Sequence, residues 1–422
     1  MNLADKDRRY VWHPFTQMRD WVAAEPLIIA RAEGNELIDV DGRRYLDGVS
    51  SLWVNVPGHH RRELDDAVRA QLDRVAHSTL LGLANVPAIE LAERLVKIAP
   101  TGLERVFYSD SGSTAVEVAL KIAFQYQKQR GRAGKQKFLA LTDAYHGDTV
   151  GAVSVGGIDL FHEIFHPLLF HVLRVKPAID ELERMLAAHA HELAAFVVEP
   201  LVQGAAGMLM QPPGFLRAAR ELCTRHDVLL ICDEVATGFG RTGTMFACEQ
   251  ESVAPDLMCL AKGISGGYLP LAATLATEAV HAAFLGQYEQ KLTFFHGHTY
   301  TGNPLACAAG IASLDIFEHD RVLENLRPKI ARLHARLDER IAKLAPVVEI
   351  RRRGFMIGIE LGPYAYEQAI GARVCADVRK RGVILRPLGN VIVLMPPLSI
   401  TDDEIDRLVD ATRASIVEVC GA

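Results

Sequence analysis

Two side chains in one stretch of the chain could do covalent chemistry together. Residues 228–232 form an apolar run of strand length that would deliver Asp233 and Glu234 at its carboxyl end. A second apolar run, 257–261, would deliver Lys262 into a glycine-rich turn. A lysine amine holds an aldehyde as a Schiff base, and a carboxylate can face a pyridinium nitrogen. An acid and a lysine at the ends of two strands are therefore what a pyridoxal phosphate enzyme needs. Open α/β sheets also place their sites at strand carboxyl ends. An acidic strand end beside an unrelated surface lysine has the same spacing, so the flanking segments must separate the two readings.

Those segments offer further candidates. VFYSD at 106–110 reads as a strand feeding a Gly/Ser turn, and the helix after it places Val116, Ala119, Leu120 and Ala123 on one face. Free first-turn amides with the hydroxyls of Ser113 and Thr114 would cradle a phosphate. An ordinary helix cap explains the same serines. The strand at 138–142 leads to Tyr145, His146 and Asp148, and the strand AAFVVEP ends at Glu199 with Gln203 in the glycine-rich loop beyond.

The elements that must position these residues alternate βα from 106 to 275, which predicts a mostly parallel sheet with helices on both faces. Before it, residues 1–25 carry Trp12, His13, Pro14 and Phe15 without helical period, and read as a packed arm. Residues 27–53 read as short antiparallel strands turning at Gly34 and Gly42, and helices follow at 62–75 and 87–99. Further helices are expected at 178–190 and 214–227, and a long apolar helix after the loop at 297–303. From about 320 the chain becomes α+β: a charged helix at 322–344, strands, a helix at 366–381, a hairpin, and a terminal helix from Thr401. The division expected is an N-terminal arm with strands (1–55), a large α/β domain (56–320) and a small α+β domain (321–422) that packs with the N-terminal strands.

Bulk properties narrow the function classes. A chain of 422 residues exceeds one simple core, and its charge of -6 argues against nucleic acid or an anionic membrane as partner. No apolar signal segment opens the chain, and no window approaches the ~18 apolar residues of a membrane span. Seven scattered cysteines without a CxxC pair fit free thiols in a reducing cytoplasm, with no disulfide framework and no metal site. Cys232 and Cys259 lie in the strand runs and read as core fillers.

Taken together, WHPFTQM at 12–18, DSGSTAVEVALKIA at 110–123, YHGDT at 145–149, VVEPLVQGAAGM at 197–208, DEVATGFGRTG at 233–243, AKG at 261–263 and GHTYTGNPLACAA at 297–309 carry a family likeness. In this order they resemble the class III pyridoxal phosphate-dependent aminotransferases, the group of ornithine, 4-aminobutyrate and other omega-amine enzymes, over essentially the whole chain. The resemblance implies fold type I, the aspartate aminotransferase type, and a homodimer with two sites at the subunit interface. It implies pyridoxal 5'-phosphate on Lys262, Asp233 at the ring nitrogen, Tyr145 on the ring face, Gly112 and Ser113 at the phosphate, and Glu199 and Gln203 behind them. Thr299 would reach the phosphate from the partner subunit, and Gly297 is expected among the substrate-binding residues. A turn-stabilising role suits Gln203 equally.

Substrate residues follow from the same resemblance. Arg386 matches an arginine that binds a distal carboxylate, for which a guanidinium fork is suited. Trp53 matches one of two adjacent tryptophans along the pocket, the first being Leu52 here. An apolar wall suits the methylene chain of 7-keto-8-aminopelargonate as acceptor. Members that take S-adenosylmethionine as donor carry tyrosine where this chain has Phe15, and some with phenylalanine there take lysine. The expected reaction is transfer of the amine from S-adenosylmethionine, or alternatively lysine, to 7-keto-8-aminopelargonate, giving the 7,8-diamine of biotin synthesis. A broad omega-amine:pyruvate or 4-aminobutyrate transaminase is the rival. Arg241 would either hold the active-site loops or contact a substrate.

Overall fold

The computed structural model describes residues 1–421. The N-terminal segment is helical where an arm was expected. A helix over Leu3–Tyr10 begins at a capping box between Asn2 and Asp5, and a short one covers Met18–Ala23. The cap satisfies orphan amides, which offsets the weak apolar period that concealed the first helix. Strands β1 (Ile29–Glu33), β2 (Glu36–Asp39) and β3 (Arg44–Asp47) then form an antiparallel meander.

Past β3 the chain is not a strand. Ser50, Ser51, Leu52 and Trp53 all adopt positive φ (51°, 49°, 76° and 69°), a turn of left-handed backbone without a single glycine. Such backbone costs about 1–2 kcal/mol at each non-glycine residue, so the surroundings must hold it. Helices over Arg62–Leu72 and Val86–Ile98 follow, the second capped by Asn85 with a proline in its first turn.

The large sheet is built from β4 (Leu103–Ser109), β5 (Lys137–Leu141), β6 (Val172–Val175), β7 (Leu193–Val198), β10 (Leu229–Asp233), β11 (Leu257–Leu260) and β12 (Ala272–Thr277). Two short strands, β8 (Val202–Gln203) and β9 (Leu209–Met210), pair as a separate ribbon between β7 and β10 in sequence. The order in space is β4-β12-β11-β10-β7-β5-β6. The strands from β11 to β6 run parallel, while β12 runs antiparallel to both β11 and β4. The βα alternation expected up to 275 thus fails once. Residues 261–271 separate β11 from β12 and hold only a 3-10 turn, Lys262–Ser265, with no helix to make a parallel crossover.

Alternate residues of the central strands face opposite cores. Phe196, Val198, Leu230, Cys232 and Met258 join one, and Val197, Ile231, Leu257 and Cys259 the other. Burial on both faces explains runs with no polar alternation, and each buried Val, Leu or Phe contributes about 1.5–3 kcal/mol. The seven cysteines are free, six of them buried.

After the buried helix Pro304–His319 and the charged helix Val322–Arg340, strands β13 (Val347–Arg353) and β14 (Met356–Leu361) form a hairpin. The helix Ile370–Lys380 is followed by β15 (Val383–Ile384), β16 (Arg386–Leu388) and β17 (Val391–Leu394). Where one hairpin was expected, two sheets receive this segment. β16 and β17 pair antiparallel and extend the β13-β14 sheet, but β15 pairs parallel with β3 of the N-terminal meander. The terminal helix Asp402–Cys420 starts at a Thr401/Glu404 capping box. Among the described residues, no helix is long and apolar enough to cross a membrane, and no cluster of histidine, cysteine or acidic side chains could hold a metal.

Candidate active site

The carboxyl ends of β10 and β11, the start of the helix after β4, and the left-handed turn enclose one cavity of about 450 Å³. Lys262 lines it at the first position of the 3-10 turn, with φ 46°. Protein surrounds its amine, and this burial lowers its pKa against the opposing pull of Asp233 and Glu199. Its Nζ lies 5.6 Å from the centre of the Trp53 ring.

Asp233, the last residue of β10, lines the cavity nearly buried. Its Oδ1 accepts from the Val235 amide at 3.0 Å, and its Oδ2 lies 2.7 Å from Nδ1 of His146. The buried His146 imidazole has no partner at Nε2. Burial disfavours its cationic form, but the Asp233 hydrogen bond and charge outweigh that and raise its pKa. Nδ1–H therefore donates to Asp233.

Glu199 follows β7 and is buried. Its Oε1 accepts from the Tyr145 amide at 3.2 Å and its Oε2 from the Gly204 amide at 3.0 Å. Burial nevertheless pushes its pKa up to about 7, with Asp233 repulsion adding and His146 opposing. Tyr145 lines the cavity and donates its hydroxyl to Asp148 at 2.8 Å. Burial, then that contact, pushes its phenol upward. Gln203 is not brought to the cavity. Its amide donates to the Thr142 carbonyl at 2.6 Å, which ties the loop to the end of β5.

The helix Gly112–Gln129 is capped by Ser111, whose hydroxyl accepts from the Thr114 amide, so capping accounts for Ser111, while the Ser113 hydroxyl accepts from the Asp148 amide at 3.0 Å. Gly112 and Ser113 form its first turn and line the cavity, where first-turn amides have no acceptor within the helix. The space is kept by missing side chains. A Cβ on Gly112 would lie 2.6 Å from Val235, and one on Gly147 (φ 118°) 2.0 Å from the Ser113 hydroxyl.

Arg386 and Phe15 sit together at the outer side. The guanidinium carbon lies 5.8 Å from the Phe15 ring centre, and Arg386 has no ion-pair partner among the described residues. Phe15 packs edge-on against Phe161, which packs edge-on against Tyr145. Thr299 and Gly297 lie elsewhere, in a second cavity of about 840 Å³ lined also by Leu80, Phe107 and Phe294. Arg241 is buried away from the cavity. It donates to the carbonyls of Pro396 (2.6 Å) and Asn55 (2.9 Å), the loop-holding arrangement of the two considered. Sequence reasoning gave no role to His146, although it lies inside the YHGDT motif, nor to Asp148, Phe161 and Ser51. For His146 the signal was a histidine at the end of a strand next to β7, opposite an acidic strand end.

An amine, a buttressed carboxylate and a helix amino terminus around one cavity at strand ends suit group transfer through a bound aldehyde. Residues 18–416 match the family Aminotransferase class-III, and the chain belongs to that family. It is 60% identical, over 99% of its length and 82% of the relative's, to an adenosylmethionine-8-amino-7-oxononanoate aminotransferase of Nitratidesulfovibrio vulgaris. A protein of the same name from Geobacter sulfurreducens is 54% identical over 99% of this chain and 98% of its own. The crystal structure of the Methanocaldococcus jannaschii adenosylmethionine-8-amino-7-oxononanoate aminotransferase superposes with a TM-score of 0.97 at 47% identity, covering 99% of both chains.

Proposed function

We propose that this aminotransferase uses pyridoxal 5'-phosphate to move an amino group onto 7-keto-8-aminopelargonate, giving 7,8-diaminopelargonate for biotin, with S-adenosylmethionine as donor. The observation that carries the reading is the convergence of Lys262, Asp233 and the Gly112 helix start on one cavity, in a chain 60% identical to a relative named for that reaction. The residues fit the cofactor. A helix start freed of side chains by Gly112 and Gly147 suits its phosphate, the acid backed by His146 suits its ring nitrogen, and a buried amine of lowered pKa suits its aldehyde. Bound there, the cofactor supplies an aldehyde for the amine and a ring that stores the electrons left when a C–H proton departs.

The chain's own residues do the rest. Asp233 would face the ring nitrogen of the bound cofactor, and the hydrogen bond from His146 orients that carboxylate. Burial lowers the pKa of Lys262 and so favours the neutral amine, the form that would take a proton from the substrate carbon and return it one atom away. Tyr145, its hydroxyl held by Asp148, lines the cavity where it would stack on the bound cofactor. Arg386, free of ion-pair partners, is available to a distal carboxylate, and Trp53 supplies an apolar wall.

Thr299 and Gly297 lie outside this cavity in the single chain, which fits their serving the site of a partner subunit, so we read the enzyme as a cytoplasmic homodimer. The division into 1–55, 56–320 and 321–422 is kept as the domain reading. Lysine as donor is the second possibility, because Phe15 offers the donor no hydroxyl. One assay decides both halves. Holoenzyme reacted first with S-adenosylmethionine or lysine, then freed of donor, should convert 7-keto-8-aminopelargonate to 7,8-diaminopelargonate in a single turnover and regain its starting absorption spectrum. Turnover of pyruvate or 2-oxoglutarate alone would refute the acceptor assignment.

A further inference from the structure

The wall of the site contains a turn that its own sequence does not favour. Ser50, Ser51, Leu52 and Trp53 are left-handed in succession, with φ of 51°, 49°, 76° and 69°, and the last three line the Lys262 cavity. Nothing inside the turn accounts for that backbone, since no glycine is present. The account lies in two residues outside it. Asp47, fully buried, accepts from the Ser51 amide at Oδ1 (2.9 Å) and from the Ser51 hydroxyl at Oδ2 (2.7 Å). The same Oδ2 accepts from His59 Nε2 at 2.9 Å. Asn55 donates its amide to His59 Nδ1 at 2.9 Å, which leaves Nε2 as the protonated nitrogen facing Asp47.

Both members are anchored to the frame rather than to the turn. Asp47 is the last residue of β3 and stands opposite Ile384 of β15. The backbone of His59 exchanges hydrogen bonds with Gly34. Only Ser51, among the turn's residues, is gripped by a carboxylate. The neighbouring Ser50 hydroxyl donates to the Met395 carbonyl at 2.6 Å.

We infer that Asp47 and His59 are positioning residues for substrate specificity: they clamp Ser51, hold the turn left-handed, and so fix Trp53 and Leu52 as the wall that the keto acceptor's chain lies against. The inference rests on the proposed reading of this cavity as the aminotransfer site. Without the clamp the turn relaxes toward right-handed backbone and the indole leaves its place 5.6 Å from Lys262. The chemistry at Lys262 and Asp233 does not depend on it.

The test uses holoenzyme carrying Asp47→Asn or His59→Ala, with His59→Gln as the variant that keeps a donor toward Asp47. KM for 7-keto-8-aminopelargonate should rise about tenfold in the first two and less in the third, while kcat changes less than twofold. A fall in kcat with unchanged KM, as from a smaller folded fraction, overturns the inference. Ser51→Gly in the Asp47→Asn background should recover most of the KM, because glycine adopts the left-handed turn unaided; no recovery also overturns it. A readout independent of turnover is the emission of Trp53, one of three tryptophans, with Trp12 and Trp21 replaced by Phe. It should shift to the red in Asp47→Asn and return in the double variant, and an unchanged spectrum counts against the clamp. If wild-type enzyme ignores 7-keto-8-aminopelargonate but turns over another long-chain keto acid, the substrate reading fails, and the clamp is judged on that acceptor's KM and on Trp53 emission.

Discussion

Glu199 is a buried acid whose proton belongs to neutral pH. Two backbone amides hydrogen-bond its carboxylate, yet burial wins and lifts its pKa from 4.5 to about 7. For an acid raised in this way the folded protein holds the proton between pH 4.5 and about 7 while the unfolded chain has released it, so stability falls as pH climbs through that window. At ~1.4 kcal/mol per pH unit the loss is on the order of 3 kcal/mol. Glu199→Gln cannot ionise and keeps one amide acceptor. The thermal midpoint of cofactor-free Glu199→Gln, relative to wild type, should therefore rise from pH 5 to about pH 7 and level off above it. A difference independent of pH would place the ionisation elsewhere. His146 shifts stability in the same sense. Raised above 6.5 by Asp233 although burial opposes, it stabilises the fold below that pH and loses this contribution as pH rises through its folded value.

At the scale of elements, local chemistry was legible where one signal dominated. Uniform apolar runs gave β7, β10 and β11, and the serine cap gave the helix at Gly112, because burial on both faces and helix capping leave unambiguous marks. Lys262, Asp233, Glu199 and Tyr145 could be located for the same reason, each following such a run. The left-handed turn at Ser50–Trp53 was not legible, since its conformation is imposed by Asp47 and by packing from residues more than two hundred positions away. Gly267 shows that packing. Its φ is +87°, and a Cβ there would lie 2.9 Å from Asn55 Cα and 3.0 Å from the Asn55 nitrogen and the Val54 carbonyl carbon. Backbone meets backbone, so neither side can yield by rotating a side chain. Gly267→Ala should cost about 1–3 kcal/mol in urea unfolding and displace the turn. Its KM for the keto acceptor should rise more than its kcat falls.

For the whole molecule, the question is what joins the large sheet to the chain's two ends. The β3 and β15 pairing links the N-terminal meander to the C-terminal segment, in a register no single-stretch pattern could reveal. Arg241 adds the connection to the large sheet. Its guanidinium, fully buried, bridges the Asn55 carbonyl on the N-terminal side and the Pro396 carbonyl on the C-terminal side, while its own carbonyl accepts from the Phe355 amide. No carboxylate pairs with it among the described residues, and burial drops its pKa to about 9. Arg241→Met fills the space but orphans two buried carbonyls, each costing about 1–3 kcal/mol, so the midpoint of unfolding should fall by roughly 3 kcal/mol or more in equivalent free energy. Arg241→Lys, with a point charge on a shorter stem, reaches one carbonyl and should fall between the two. Urea titration of the three proteins, followed by far-ultraviolet circular dichroism, measures the order. Were Arg241 instead a substrate ligand, Arg241→Met would raise KM and leave the unfolding midpoint where it was. The carbonyl partners on both sides of the junction predict the opposite pattern, with stability lost first and KM for the surviving folded enzyme changed little.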